Sequence, residues 1–251
     1  MTETSNYKGI VLAGGAGSRL YPLTKVISKQ LLPIYNRPMI YYPLSILINA
    51  KIKDILIITT PEDQENFKKL LGDGSQWGVK LNYSVQEKPE GIAQSLIIAD
   101  KWLKSNPVVL ILGDNLFFGP DLFLKIEKAI NENDGATIFG YHVDDPERYG
   151  VLELDKSNNV LSIVEKPDNP ISNWAATGLY IYDENASIIA KDLKKSERGE
   201  YEITDLNRKY LEQKNLNVVY LDKDYSWLDT GTHITLLEAS NFVKDNGIKL
   251  K

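Results

Sequence analysis

The chain has 251 residues, 43% of them hydrophobic and 25% charged, with 29 Lys and Arg against 34 Asp and Glu for a net charge of −5. That length suits one large α/β domain or two small ones, and the acidic balance argues against nonspecific nucleic-acid binding, which depends on neutralising phosphates. There is no Cys, which excludes disulfides and Cys metal sites. No apolar run approaches the ~20 residues of a membrane span, and the polar start lacks the apolar core of a signal peptide, so neither a membrane nor a nucleic acid is expected as partner and the expected location is the cytoplasm.

Residues 1–7 read as a disordered leader. Lys8–Ala13 is a short apolar run ending in glycines, the pattern of a buried parallel strand. Further apolar runs follow at Ile55–Thr60, Leu81–Gln86 and Val108–Gly113. Helical patterns separate them at Met39–Ala50, Glu62–Leu71 and Ile92–Lys104, with another at Asp121–Asn131. Strands alternating with helices at this spacing predict βαβ units and a mostly parallel, Rossmann-like central sheet flanked by helices, an α/β fold. After Gly135 the segments shorten: Thr137–Val143, Val151–Asp155, Val160–Glu165 and Ala176–Tyr182 read as strands, with a hairpin turn at Ser157-Asn158-Asn159. Helices are expected again at Ala186–Leu193, Ile203–Gln213 and Ile234–Lys244. The expected organisation is a single domain over 8–251: a nucleotide-binding half (about 8–135), a smaller β-rich sugar-binding half (136–233) and a C-terminal helix (234–251). Ligands in such sheets bind beyond the carboxyl ends of the strands, where the motifs fall.

The first motif runs Leu12-Ala13-Gly14-Gly15-Ala16-Gly17-Ser18-Arg19-Leu20, followed by Lys29-Gln30-Leu31-Leu32-Pro33. A glycine loop after a strand lets backbone N–H groups approach phosphate oxygens. It lacks the GK[ST] ending of a Walker loop and the third glycine of a dinucleotide fingerprint. Arg19 offers a planar fork to a polyphosphate and Lys29 a point charge. A second candidate is Asp114, at the end of a buried strand, where a carboxylate can hold Mg²⁺ against nucleotide phosphates or simply cap a turn. Asp229 in Trp227-Leu228-Asp229-Thr230-Gly231-Thr232 is a similar case. Only His142 and His233 exist, neither in a nucleophile motif, and both read as structural.

The string from Gly14 to Thr24, followed by Lys29-Gln30-Leu31-Leu32-Pro33, resembles the signature of sugar-1-phosphate nucleotidylyltransferases. More narrowly, SKQLLPIYNRPMIYYPLS is similar to the glucose-1-phosphate thymidylyltransferase family. The likeness continues in order through Gln86–Gln94, Gly113–Asn115, Asp145–Val151, Glu165–Pro167, Thr177–Tyr180, Arg198–Asp205 and Trp227–Thr232, nearly the whole chain.

The resemblance implies transfer of a deoxythymidylyl group from dTTP to glucose 1-phosphate, giving dTDP-glucose and pyrophosphate with Mg²⁺ as cofactor, in supply of deoxysugar and polysaccharide precursors. It implies nucleotide contacts from Leu12, Gly14, Gly15, Gly17, Ser18, Arg19, Gln30 and Asp114, with Gln86, Pro89 and Gly91 on the base. A Gln amide both donates and accepts, which matches a thymine edge. Sugar-phosphate contacts would come from Asn115, Tyr149, Gly150, Glu165, Lys166, Gly178, Arg198 and Trp227. Lys166 and Arg198 would take the phosphate and Glu165 the sugar hydroxyls. Asp114 and Asp229 would share the metal, and Arg19, Lys29, Asp114 and Lys166 would be catalytic. A homo-oligomer, dimer or tetramer, is also implied. UTP in place of dTTP is the near alternative, and a silent regulatory paralogue the distant one, disfavoured by the presence of all four charged residues Arg19, Lys29, Asp114 and Asp229. Asp245-Asn246-Gly247 reads as a helix stop, leaving little chain for the extra helical segment of longer relatives, so weak feedback by a downstream product such as dTDP-rhamnose is expected.

Overall fold

The computed structural model describes residues 6–15 and 17–248. In chain order it contains β1 (Lys8–Ala13), β2 (Pro33–Ile34), β3 (Arg37–Pro38), α1 (Tyr41–Asn49), β4 (Asp54–Thr59), α2 (Gln64–Leu71), β5 (Lys80–Val85), α3 (Gln94–Leu103), β6 (Val108–Leu112), β7 (Asn115–Phe118) and α4 (Leu122–Asn131). Then follow β8 (Ala136–His142), β9 (Gly150–Leu154), β10 (Val160–Glu165), β11 (Trp174–Tyr182), α5 (Ala186–Lys191), α6 (Ile203–Glu212), β12 (Leu216–Leu221), β13 (Ser226–Asp229) and α7 (His233–Asp245).

The central strands are buried on both faces, which is why they read as continuous apolar runs. In β1, Ile10 and Leu12 point into one core while Val11 and Ala13 point into the other. Leu56 and Ile58 of β4 join the first core, with Leu96 and Ala99 of α3 and Leu206 of α6. Ile55 and Ile57 join the second, with Leu44 and Leu47 of α1, Phe67 of α2 and Ile126 of α4. Truncating one such side chain to Ala costs about 2–5 kcal/mol.

The main sheet has nine strands in the order β10-β9-β11-β6-β1-β4-β5, with β8 pairing β11 and β12. β1 is parallel to β4 and β6, β4 to β5, and β12 to β8, whereas β11 runs antiparallel to β6, β8 and β9. The chain builds outward from β1 to β4 and β5, then returns to lay β6 on the opposite side of β1. That reversal opens a crevice at the carboxyl ends of β1 and β6. Strands from both sides of residue 135 enter the one sheet.

Several features differ from the sequence expectation. β12, the short pair β2–β3, and the ribbon of β7 with β13 have no counterpart among the expected elements. β7 and β13 are four residues each, too short to establish a period, and they pair across more than a hundred residues of chain. The helix expected over Met39–Ala50 is Tyr41–Asn49, and the strand expected from Ala176 begins at Trp174. Residues 1–5 of the expected leader lie outside the described residues, and Tyr7 packs against the core. α7 begins with a capping box, in which the Thr232 hydroxyl accepts from the Thr235 N–H at 3.2 Å and the Thr235 hydroxyl accepts from the Thr232 N–H at 3.0 Å. It stops at Asp245, with Gly247 at φ +59° just beyond.

Candidate active site

The ribbon of β7 and β13 sets the centre of the site. Its register places Asp229 opposite Asn115, the neighbour of Asp114. Thr230 ties the two segments together: its N–H and its hydroxyl both donate to the Asp114 carbonyl, at 3.2 and 2.8 Å. Both carboxylates line one cavity, are largely buried, and lie close enough for the Asp114 charge to act on Asp229. Lys29, buried beneath the glycine loop, donates to Asp114 Oδ2. Arg148 donates to Asp229 Oδ2 at 3.2 Å and to Asp145 Oδ2 at 2.5 Å. Burial opposes ionisation of Asp114, yet the charge and hydrogen bond of Lys29, with a hydrogen bond from Asn115, hold its carboxyl below the usual range. At Asp229 burial pushes the carboxyl up and the Asp114 charge adds to it, with Lys29, Arg148 and Arg19 pulling the other way.

On one side of this pair lies a cavity of about 280 Å³, floored by β11 and walled by β9, β10 and α6. It collects Arg19, Asp114, Asn115, Tyr149 and Gly150, with Glu165, Lys166, Gly178, Trp227 and Asp229. Asn115 holds several of these in place. Its Oδ1 accepts from Trp227 Nε1 at 2.6 Å and from the Gly178 N–H at 3.1 Å, and its Nδ2 donates to Asp114 Oδ1 at 3.0 Å. A Cβ at Gly178 would lie 2.4 Å from Asn115 Oδ1, so only glycine allows this approach. The Trp227 ring packs at 4.9 Å against Tyr149, whose phenol burial and the Asp229 charge keep neutral. Glu165 accepts from the Thr204 hydroxyl on one oxygen and meets Lys166 Nζ at 3.4 Å on the other. Lys166 itself sits at φ +43°, with its N–H on the Tyr149 carbonyl at 2.9 Å.

Past the glycine loop, a second cleft of about 430 Å³ is lined by Gly14, Gly15, Gln86 and Pro89, with Lys25, Glu62, Asp63 and Glu87 among its other residues. A Cβ at Gly14 would stand 2.0 Å from Gln86 Oε1. The loop is thus bare of side chains where the Gln86 amide crosses it. The turn after β5 is set by Gly91 at φ +102°, where a Cβ would strike the Tyr201 carbonyl at 2.4 Å.

Of the remaining expected contacts, Leu12 is buried in β1, where its carbonyl accepts from the Gly113 N–H at 2.8 Å. Gly17, at φ +61°, accepts from the Thr24 hydroxyl at 2.7 Å, and Ser18 opens a 3-10 turn. Ala16 lies outside the described residues. Gln30 is buried, with Oε1 on the Ser28 hydroxyl at 2.6 Å. Arg19 lies nearer the first cavity than the second: a Cβ at Gly231 would be 2.9 Å from its Nη2 and 3.3 Å from Asp229 Oδ2. Arg198 stands outside the first cavity's lining. Its guanidinium contacts both oxygens of Glu202 at 2.9 Å and Glu165 at 3.5 Å. Both histidines lie away from these groups: His142 meets the Trp174 ring edge-on at 5.7 Å, and His233 Nε2 lies 3.0 Å from the Tyr21 carbonyl.

Sequence reasoning did not single out Arg148, Thr177 or Thr204, all of which line the first cavity. Each lies inside a segment quoted for its family likeness, and that membership was the available signal. The Thr177 hydroxyl is buried without a hydrogen-bond partner among the described residues, a cost of about 1–3 kcal/mol unless water or a ligand relieves it.

Among the described residues no group of three or more His, Cys, Asp or Glu could enclose a metal. Asp114 and Asp229 still fit Mg²⁺, which keeps much of its water and takes one or two carboxylates plus substrate phosphates. The Asp114 charge raises the cost of ionising Asp229, which a bound cation would relieve.

A nucleotidyl transferase family model matches residues 8–246. A glucose-1-phosphate thymidylyltransferase of Neisseria gonorrhoeae is 55% identical over 94% of this chain and 82% of its own length. One from Xanthomonas campestris pv. campestris (strain B100) is 56% identical over 94% and 80%. A Bacillus anthracis crystal structure described as a glucose-1-phosphate thymidylyltransferase in complex with sucrose superposes with a TM-score of 0.90 at 42% identity, covering 98% of this chain and 97% of that one. A UDP-glucose pyrophosphorylase complexed with UDP-glucose shares the fold, with a TM-score of 0.83 at 22% identity over 96% of this chain and 99% of that one. The chain belongs to the nucleotidyl transferase family and, within it, to the glucose-1-phosphate thymidylyltransferases.

Proposed function

We propose that the protein transfers a deoxythymidylyl group from dTTP to glucose 1-phosphate, giving dTDP-glucose and pyrophosphate. The observation that carries this reading is that the β7–β13 ribbon brings Asp114 and Asp229 into one cavity with Arg19, Glu165 and Lys166, while the glycine loop borders a second cleft that Gln86 lines. The cavity suits a sugar phosphate: Lys166 and Arg19 offer cations, and Glu165 and Gly150 offer polar contacts for hydroxyls. The cleft suits a nucleoside, with Gln86 facing it beside a bare glycine loop. On this reading residues 8–135 form the nucleotide half, 136–233 the sugar half, and 234–251 the C-terminal helical segment. A homo-oligomer working in the cytoplasm, feeding an activated sugar to deoxysugar and polysaccharide synthesis, completes the proposal.

The reaction needs no nucleophile from the protein. A phosphate oxygen of glucose 1-phosphate bonds to the α-phosphorus of dTTP. The bond from that phosphorus to the oxygen bridging the β-phosphate breaks, and its electron pair leaves with pyrophosphate. The obstacle is repulsion between two polyanions, and the protein's share is placement and charge. Arg19 lines the first cavity beside Asp229 and offers a cation to phosphate charge there. Lys29 offsets the charge of Asp114, Arg148 that of Asp229, and Lys166 that of the incoming phosphate; Arg198 aligns Glu165 and Glu202 beside it. Mg²⁺, held by Asp114 and Asp229, would supply further neutralisation of phosphate charge.

The test is pyrophosphate release from glucose 1-phosphate and Mg²⁺ with dTTP, UTP, dCTP, ATP and GTP in separate reactions. dTTP should be turned over fastest, with UTP next because uracil shows the same hydrogen-bonding edge. No release with dTTP would overturn the proposal.

A further inference from the structure

The amide of Gln86 is held one way round by a chain of hydrogen bonds that leads away from the cleft. A carboxylate only accepts and a backbone N–H only donates, so either can fix the orientation of an amide next to it. Glu90 supplies both. Its carboxylate Oε2 takes a hydrogen bond from Gln94 Nε2 at 3.0 Å, and its backbone N–H donates to Gln94 Oε1 at 3.2 Å. Gln94 is thereby oriented with its oxygen toward Gln86. That oxygen accepts from Gln86 Nε2 at 2.6 Å, and the Gly91 carbonyl accepts from the same nitrogen at 3.2 Å. Lys195 anchors the far end, with Nζ 2.6 Å from Glu90 Oε1. Both Gln86 N–H groups are therefore spent inside the protein, and Oε1 is the end that crosses the bare surface of Gly14.

We propose that Glu90 and Gln94 are positioning residues that set base preference by fixing the polarity of Gln86. This rests on the reading of the second cleft as the nucleoside site. Thymine and uracil offer one donor on their edge, N3–H, between two carbonyl acceptors. A fixed acceptor at Gln86 matches it. Cytosine carries a lone pair at N3 and would face the Gln86 oxygen with acceptor against acceptor. The reversed amide would match cytosine and leave N3–H of thymine facing a donor. The Gln86 side chain alone could serve either base, because its amide is symmetric in shape. The Glu90–Gln94 relay removes that freedom, and a buried mismatch left by the wrong base is costly.

The experiment compares kcat/KM for dTTP and dCTP in the wild-type protein and in Gln94→Met, Glu90→Leu and Glu90→Gln, each checked for folding by thermal melting. Gln94→Met removes the acceptor opposite Gln86 Nε2, and Glu90→Leu removes the carboxylate that orients Gln94. Each should lower the dTTP-to-dCTP ratio about tenfold. Glu90→Gln keeps an oxygen that can accept from Gln94 Nε2 and leaves the backbone N–H in place, so it should keep the ratio within about threefold of wild type. If Gln94→Met does not fold, Glu90→Leu carries the test. A folded Gln94→Met or Glu90→Leu protein with the wild-type ratio overturns the relay. So does a Glu90→Gln protein that loses discrimination as far as Glu90→Leu. Failure of the wild-type protein to use dTTP at all would instead overturn the proposed function, and the two failures are separable in the same assay.

Discussion

The first cavity, which Asp114 and Asp229 line, and the second cleft, past the glycine loop, are built from different chemistry. The first cavity is ionic: Arg19, Arg148, Lys166, Glu165 and the two aspartates crowd its walls, tied by contacts such as Arg148 to Asp229 at 3.2 Å. The second cleft also carries charge, in Lys25, Glu62, Asp63 and Glu87, but it adds bare glycine backbone and the neutral amide of Gln86. A phosphate is recognised by charge at short range and tolerates variation in angle, so mobile cations serve it. A base edge is recognised by donor and acceptor order, so it needs a group whose orientation is fixed. Charged side chains crowd the first cavity, whereas at Gly14 bare backbone leaves room for the Gln86 amide.

That contrast is most sharply broken at the carboxylate pair. Asp114→Asn and Asp229→Asn should each lower kcat by a factor on the order of 10² or more, because both substrates depend on the centre they define. Steady-state rates at saturating substrates and Mg²⁺ check this, and near-normal turnover would remove that residue from the centre.

Intermediate effects should separate the two sides. Lys166→Ala should raise KM for glucose 1-phosphate about tenfold with little change for dTTP. Gly14→Ala should do the reverse, since its new Cβ would stand 2.0 Å from Gln86 Oε1 and displace the amide. Its expected cost is about tenfold in KM for dTTP. Initial rates with each substrate varied in turn decide the matter, and equal damage to both KM values from both variants would contradict the division.

The smallest effect belongs outside both openings. Thr232→Ala removes the capping box of α7 and should lower stability by about 1 kcal/mol in denaturant unfolding, with both KM values unchanged.

How much of this could be read from the sequence varies by element. The strands of β1, β4 and β6 announced themselves, because burial on both faces forces an unbroken apolar run. The motif glycines and charges were equally visible. What the sequence withheld was their meeting: β7 and β13 are too short to signal, and their pairing of Asn115 with Asp229 is a long-range event. The partners of two motif cations were equally out of reach: the Arg19 guanidinium lies beside Gly231 in the lining of the first cavity, and Arg198 meets Glu202, Glu200 and Glu165. The orientation of Gln86 is fixed by Gln94 and Glu90, whose roles emerge only from hydrogen-bond polarity.

The central claim is that the protein places two anions and offsets their charge without joining the reaction covalently. The most direct test uses dTTP that carries a chiral sulfur-substituted α-phosphate, with glucose 1-phosphate as acceptor, and determines the configuration at phosphorus in the dTDP-glucose product. A single in-line displacement predicts inversion. Retention would require two displacements and a nucleotidylated protein between them, and would contradict the account.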